Sequence, residues 1–212
     1  MALIHQADLR PSKLELVGGW APTRPWGGAA AGTELEQVAA YRFDDPAGEV
    51  GIETFVVRAG DVLLHVPLTY RGAPAEGQEA HLVGTLEHSV LGRRWVYDAC
   101  GDPVYVAALA GAVLTGSPQA EELVVVEGGR QPREPSARVV GSGSAADATG
   151  PLGALTTTDS VDATTVRVDA WELVVRRVLD PSAAADGAAT LTGTWAGRST
   201  PVLLASAWRP GA

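Results

Sequence analysis

Residues 49–70 read EVGIETFVVRAGDVLLHVPLTY, two runs rich in Val, Ile, Thr and Phe separated by Ala59-Gly60-Asp61. β-Branched and aromatic side chains fit a pleated, half-buried surface, and a Gly-Asp pair between two such runs supplies turn chemistry. The stretch therefore predicts a β-hairpin, Glu49 to Arg58 against Val62 to Tyr70. Pro67 falls inside the second run. Lacking an N–H it cannot donate to a ladder, so it is expected at an edge, at a bulge or where pairing ends.

Working outward toward the amino terminus, Glu36 to Phe43 is a further strand-like stretch, and Asp44-Asp45-Pro46-Ala47-Gly48 supplies the turn that follows it. Ala2 to Leu9 alternates loosely until Pro11 interrupts it, which reads as a first strand and a turn. Gly18 to Gly32 holds Pro22, Pro25, Gly27 and Gly28 with Trp20 and Trp26 between them, the composition of a loop pinned to the core by its tryptophans. In the other direction, Leu82 to Leu86 and Arg93 to Asp98 predict a second hairpin around Gly92. Asp102-Pro103 then opens the one convincing helix, with aspartate as cap and proline at the first helical position. Val104 to Leu114 is almost wholly apolar and Gly116 ends it, so this helix is expected to be largely buried.

Leu123 to Val126 and Ala137 to Val140 are strand-like around a polar turn containing Gly128 and Gly129. Gly141 to Leu155 is small, polar and expected to be a flexible loop. Thr164 to Leu179, Thr190 to Trp195 and Val202 to Trp208 are β-prone runs, expected in meander order. The fold class that follows is α+β: a curved antiparallel β-sheet with one main buried helix, Pro103 to Thr115, extended by further C-terminal antiparallel strands. Residues 1–130 form one region and 131–212 a β-rich extension packed with it as one unit.

Composition narrows the function. An apolar fraction of 46% in 212 residues suits a globular chain, and no apolar run approaches the ~18 residues that cross a bilayer. Met1 to Arg10 contains Asp8 and no apolar h-region, so no secretory signal is read and a cytoplasmic location is expected. With 25 acidic against 16 basic residues and Lys13 as the single lysine, the net charge is −9, which points away from nucleic acid, since phosphate binding requires a basic face. One cysteine, Cys100, leaves no internal disulfide and no CxxC metal pair.

Motifs that would carry chemistry are sparse. No GxxxxGK[ST] is present, and Gly141-Ser142-Gly143-Ser144 lacks the third glycine of a dinucleotide fingerprint, so no cofactor is expected. His81 and His88, with Glu79 and Glu87 nearby, match no metal-ligand spacing and suit ordinary polar positions, so no metal is expected either. No serine sits in GxSxG, and among 25 carboxylates pairs such as Asp98 with Asp102, or Asp44 with Asp45, carry no information. The densest polar and aromatic group is Glu87, His88, Arg93, Arg94, Trp95, Tyr97 and Asp98. Alternation sends Arg93, Trp95 and Tyr97 to one face of a strand and Arg94, Val96 and Asp98 to the other. This is either a binding surface or a core strand with a charged outer side. As a binding surface, its candidate ligand-contacting residues are Glu87, His88, Arg93, Trp95, Tyr97 and Asp98. No catalytic residue is identified.

Four ordered segments carry a family resemblance: Tyr41 to Val50 (YRFDDPAGEV), His65 to Pro74 (HVPLTYRGAP), Gly92 to Asp98 (GRRWVYD) and Asp102 to Val106 (DPVYV). Together they resemble the maltokinase N-terminal cap family over roughly the first 115 residues. The resemblance implies a cystatin-like sheet holding a helix. It also implies that in full maltokinases such a cap precedes a two-lobed kinase-like module that phosphorylates maltose with ATP and feeds α-glucan synthesis. This chain contains neither a catalytic-loop HxD nor a DFG or DFD, so no family catalytic residue carries over. Similar free-standing proteins are sometimes labelled glucan-branching proteins, but a (β/α)₈ barrel of ~250 residues does not fit in this chain. The expectation is a non-catalytic accessory or regulatory protein, linked to trehalose or α-glucan metabolism through a partner enzyme. The alternatives are a carbohydrate- or small-ligand-binding protein with a concave sheet pocket, which could meet maltose, trehalose or glycogen, and a small hydrolase or isomerase using His88 with Glu87 or Asp98.

Overall fold

In the computed structural model, which describes residues 2–4, 7–126, 129–144, 153–168, 171–184 and 189–209, the 49–70 stretch folds as its composition demands. β4 (Gly51–Ala59) and β5 (Val62–Arg71) pair antiparallel from Gly51 opposite Tyr70 to Ala59 opposite Val62. They sit inside a six-stranded antiparallel sheet. With β2 (Leu9–Arg10), β3 (Leu35–Phe43), β6 (Leu82–His88) and β7 (Gly92–Asp98), the order is β2-β6-β7-β5-β4-β3. Pro67 marks a change of partner: β5 pairs with β7 from Leu68 onward. Before the proline it meets residues 177–179 instead, His65 N–H donating to the Arg177 carbonyl (2.8 Å) and Leu179 N–H to the Leu63 carbonyl (2.9 Å).

Alternation divides this first sheet between two cores. Phe55, Val57, Leu64, Val66, Leu68 and Val96 face α1 (Lys13–Trp20) and the segment after it, where Trp20 and Trp26 pack edge-to-face with ring centroids 5.3 Å apart. Tyr41, Phe43, Ile52 and Val56 face the opposite way, onto α2 (Pro103–Thr115). Helix α1 corrects the sequence reading, which began a loop at Gly18. A capping box starts the helix: the Glu15 N–H donates to Ser12 Oγ (3.2 Å), and the Ser12 N–H donates to Glu15 Oε2 (2.7 Å). That Ser-x-x-Glu signal satisfies two otherwise orphaned donors. Gly18, Gly19 and Pro22 obscured it.

Helix α2 runs over the residues predicted. The Val104 N–H donates to Asp102 Oδ1 (3.0 Å), and Gly116 ends the helix in a left-handed conformation at φ +68°. Its Tyr105, Leu109, Val113 and Leu114 are fully buried between the first sheet and a second. The second sheet is also antiparallel: β10 (Ala137–Gly141), β11 (Leu155–Asp159), β12 (Ala163–Val168), β13 (Trp171–Arg176), β14 (Ala189–Trp195) and β15 (Arg198–Trp208), in the order β10-β14-β15-β13-β12-β11. At its edge the chain grazes the end of α2, because a Cβ on Gly141 would stand 1.7 Å from the Ala112 carbonyl oxygen.

Several strand boundaries differ from the sequence reading. Thr164 to Leu179 is not one run but the β12–β13 hairpin, and β13 pairs with β15 rather than β14, so the order is not a simple meander. Leu155 belongs to β11, a threonine-rich edge strand. Residues 145–152 of the expected flexible loop lie outside the described residues. Ala2 to Leu9 is divided as well: β1 (Ala2–Ile4) pairs in parallel with β8 (Glu122–Val126), which carries β9 (Gly129–Arg133) on its other edge. The class is α+β, mostly antiparallel, with a curled half-barrel sheet. Among the described residues no helix is long and apolar enough to cross a membrane.

Candidate functional site

The register of β3 and β4 sets Arg42 opposite Glu53 on the face turned toward α1, whose first residue is Lys13. Lys13 Nζ and Arg42 Nη2 each donate to one oxygen of the nearly inaccessible Glu53 carboxylate. Burial works to raise the Glu53 pKa, but the Lys13 and Arg42 charges prevail and hold it below the usual range. The Lys13 ammonium also stands 5.5 Å from the Phe55 ring centroid and 5.2 Å from that of Tyr70, within cation–π range. The Tyr70 hydroxyl lies beside Glu53 but outside hydrogen-bonding geometry. Burial, then the Glu53 charge, pushes its pKa well up. Arg42 Nε reaches on to Glu122 at 3.9 Å, and Arg133 meets the same carboxylate at 3.8 Å.

Beside this cluster the β3–β4 turn stands as a wall, knotted by Asp45, whose carboxylate accepts the N–H groups of Ala47 (2.9 Å), Glu49 (2.9 Å) and Val50 (2.8 Å). Burial opposes ionisation there, and the three N–H donors overcome it and lower the Asp45 pKa. The β6–β7 tip approaches from the other side, shaped by His88 Nδ1, which accepts the N–H groups of Val90 and Leu91 at 3.1 Å each. Between them opens a cleft of about 530 Å³, bounded also by Leu9, Leu86 and Arg94.

A second polar centre joins the two large sheets. Arg177 is fully buried, and its Nη2 donates to both Asp98 oxygens, at 2.5 and 2.7 Å. Its Nε donates to Thr164 Oγ1 (2.7 Å), and its guanidinium stacks 4.8 Å from the Trp26 ring centroid. The Thr164 hydroxyl donates to Asp159, which also receives Arg24, so the segment after α1 is tied in. Cys100 lies alongside, its thiol pushed up by burial and thus inert as a nucleophile. Asp102 accepts Arg71 through Nε (2.9 Å) and Nη2 (2.7 Å) and the Thr69 hydroxyl (2.8 Å) while capping α2. His65 is fully buried. Its Nδ1 faces the Arg176 carbonyl oxygen (2.8 Å), so that nitrogen donates, and Nε2 accepts from the Tyr41 hydroxyl (2.9 Å). Burial depresses its pKa to about 4 despite the Arg176 carbonyl, with Arg177 pushing the same way. Apart from Arg177 Nη1, which has no hydrogen-bond partner among the described residues, the polar atoms of these charged groups are engaged internally; they brace the sheets.

The six residues singled out from sequence disperse along one hairpin. Glu87 and Arg93 form an exposed cross-strand pair at 2.7 Å. Trp95 is half-buried, Tyr97 accepts the Ala75 N–H on its hydroxyl (2.9 Å), and Asp98 turns inward to Arg177. Of the six, His88 alone lines the cleft, joined there by Arg94 from the paired strand β7. Sequence reasoning missed Lys13, Arg42, Glu49, Glu53 and Tyr70. The one local signal was the pairing of β3 with β4, which sets a basic residue across from an acidic one.

Fold and site together define an α+β, mostly antiparallel protein with a mixed-charge cleft at one end of its first sheet. Residues 20–102 match the family model of the maltokinase N-terminal cap domain. This segment, from the end of α1 to the cap of α2, is similar to that domain and contains the hairpin and three of the four motif segments. No curated protein matches the chain.

Proposed function

We infer that the chain is a non-catalytic accessory or regulatory module, acting through contact with a partner enzyme of trehalose or α-glucan metabolism in the way a cap contacts its kinase. The match over residues 20–102 supports the relation to caps. The observation that carries the contact role is the outer side of α2. The helix contains no charged residue, and its outward Pro103, Val104, Ala107, Ala108 and Gly111 line a hollow of about 510 Å³ with Phe43 and Pro46, rimmed by Asp44, Asp45 and Ser117. An uncharged helix face left partly exposed and rimmed by polar residues is the kind of surface that suits a partner contact. The test is to mix the purified chain with purified maltokinase and with enzymes of trehalose and α-glucan synthesis and to measure complex formation by analytical ultracentrifugation. A complex with one of them, abolished by Ala107→Glu, is expected. Sedimentation of every mixture as separate components would end this reading.

A second reading, a carbohydrate- or small-ligand-binding protein, is favoured by the cleft of about 530 Å³ between the β3–β4 turn and the β6–β7 tip, within the roughly 300–1,000 Å³ typical of small-molecule sites. Calorimetric titration with maltose, trehalose, maltose phosphate and glycogen tests it, and heat with at least one is expected.

A further inference from the structure

The charges around the cleft narrow the chemistry of what it can hold. Lys13 and Arg42 are already bound to Glu53, and Asp45 is held by three backbone N–H groups. Two charged side chains facing the cleft make no ion pair or side-chain hydrogen bond among the described residues: Arg94 from β7 and Glu49 from the β3–β4 turn. Gly72 makes room for the first of these, since a Cβ there would come within 2.8 Å of Arg94 Nη1. Leu9, Leu86 and Leu91 supply an aliphatic border.

A guanidinium can only donate hydrogen bonds and an ionised carboxylate can only accept them. A ligand satisfying both must therefore donate and accept. An anion would meet Arg94 but face Asp44, Asp45 and Glu49, and a cation would meet those carboxylates but face Arg94; juxtaposed like charges are strongly unfavourable. A hydroxyl suffers neither penalty, and a ring bearing several hydroxyls also offers C–H surface to the leucines. We propose that the cleft binds a neutral polyhydroxylated molecule, a sugar or polyol, with Arg94 donating to one hydroxyl and Glu49 accepting from another. The proposal rests on the ligand-binding reading and adds to it the ligand's charge and the two anchoring residues.

Calorimetry on the full chain tests it, with maltose and trehalose as neutral probes, glucose 6-phosphate as the anionic probe and glucosamine as the cationic one. The neutral sugars are expected to bind at least about tenfold more tightly than either charged probe. Arg94→Ala is expected to weaken neutral binding by about tenfold or more, the value of a hydrogen bond to a charged group, with Arg94→Lys retaining part of it. Glu49→Gln, at an exposed position, provides an independent arm with the same direction. Unchanged affinity in both Arg94→Ala and Glu49→Gln, or tighter binding of a charged probe, overturns the proposal while leaving a ligand site in place. No heat from the wild-type chain with any probe removes the ligand-binding reading and this proposal with it.

Discussion

The centres and the edges of the two six-stranded sheets bury their strands differently. In the first, covered by α1 on one side and α2 on the other, β4 is buried from Ile52 to Val57 and β5 from Leu64 to Thr69. In the second, the central β15 is likewise buried from Val202 to Ala207, whereas the edge strand β10 alternates: Ala137 and Val139 are buried while Arg138 and Val140 are exposed. A strand covered on both faces reads as a continuous apolar run, whereas one with a face in water alternates. The likeness of the two centres teaches that α2 is shared. It closes the second face of the first sheet and is the main cover of the second, so the two sheets stand on one core.

The largest expected effect comes from breaking the charge pair that spans them. Arg177→Met strands the Asp98 carboxylate in the interior and is expected to cost about 3–5 kcal/mol in urea denaturation. The double variant with Asp98→Asn should recover much of that loss. A single variant as stable as wild type would show that the sheets do not depend on this pair. Leu109→Ala, in the shared helix, should cost about 2–5 kcal/mol. Its sharper readout is coincidence: far-UV circular dichroism and tryptophan fluorescence should report one transition, since Trp20 and Trp26 lie on the first sheet and Trp171 and Trp195 in the second. Two separated transitions would mean independent units.

A third effect is acid sensitivity at the corner where β5 meets residues 177–179. His65 titrates near 4 in the folded chain and near 6.5 when unfolded. Between those values the unfolded state binds the extra proton, so stability rises with pH across the window and is lost as pH falls through it, by up to roughly 3 kcal/mol. Nuclear magnetic resonance of the imidazole checks this, and a native titration near 6.5 would contradict it. The smallest effect belongs to the exposed Glu87–Arg93 pair. Glu87→Ala should change the thermal midpoint little, consistent with a contribution under about 1 kcal/mol.

The parts of the fold dictated by local chemistry were legible. The 49–70 hairpin follows from β-branched runs around a Gly-Asp turn, and α2 from an aspartate cap, a first-turn proline and a closing glycine. Helix α1 had a readable cap in Ser12 and Glu15, but two glycines broke the apolar rhythm behind it. β11 was hidden because Thr156, Thr157 and Thr158 are as polar as the neighbouring loop. The site was the least legible part. Lys13 and Glu53 are 40 residues apart and Asp98 and Arg177 are 79 apart, so only the folded chain shows which charges neutralise each other. Arg177 falls inside the β-prone run Thr164 to Leu179, while its partner Asp98 lies on the other sheet.

The reach of Arg177 from one sheet to a carboxylate on the other also bears on how such a chain can change over generations. Gene shuffling that kept residues 20–102 and discarded the remainder would inherit an orphaned acid at Asp98 and an uncovered edge beside Pro67. Neither segment is self-sufficient: each leaves a buried charge or an open backbone edge that only its companion closes.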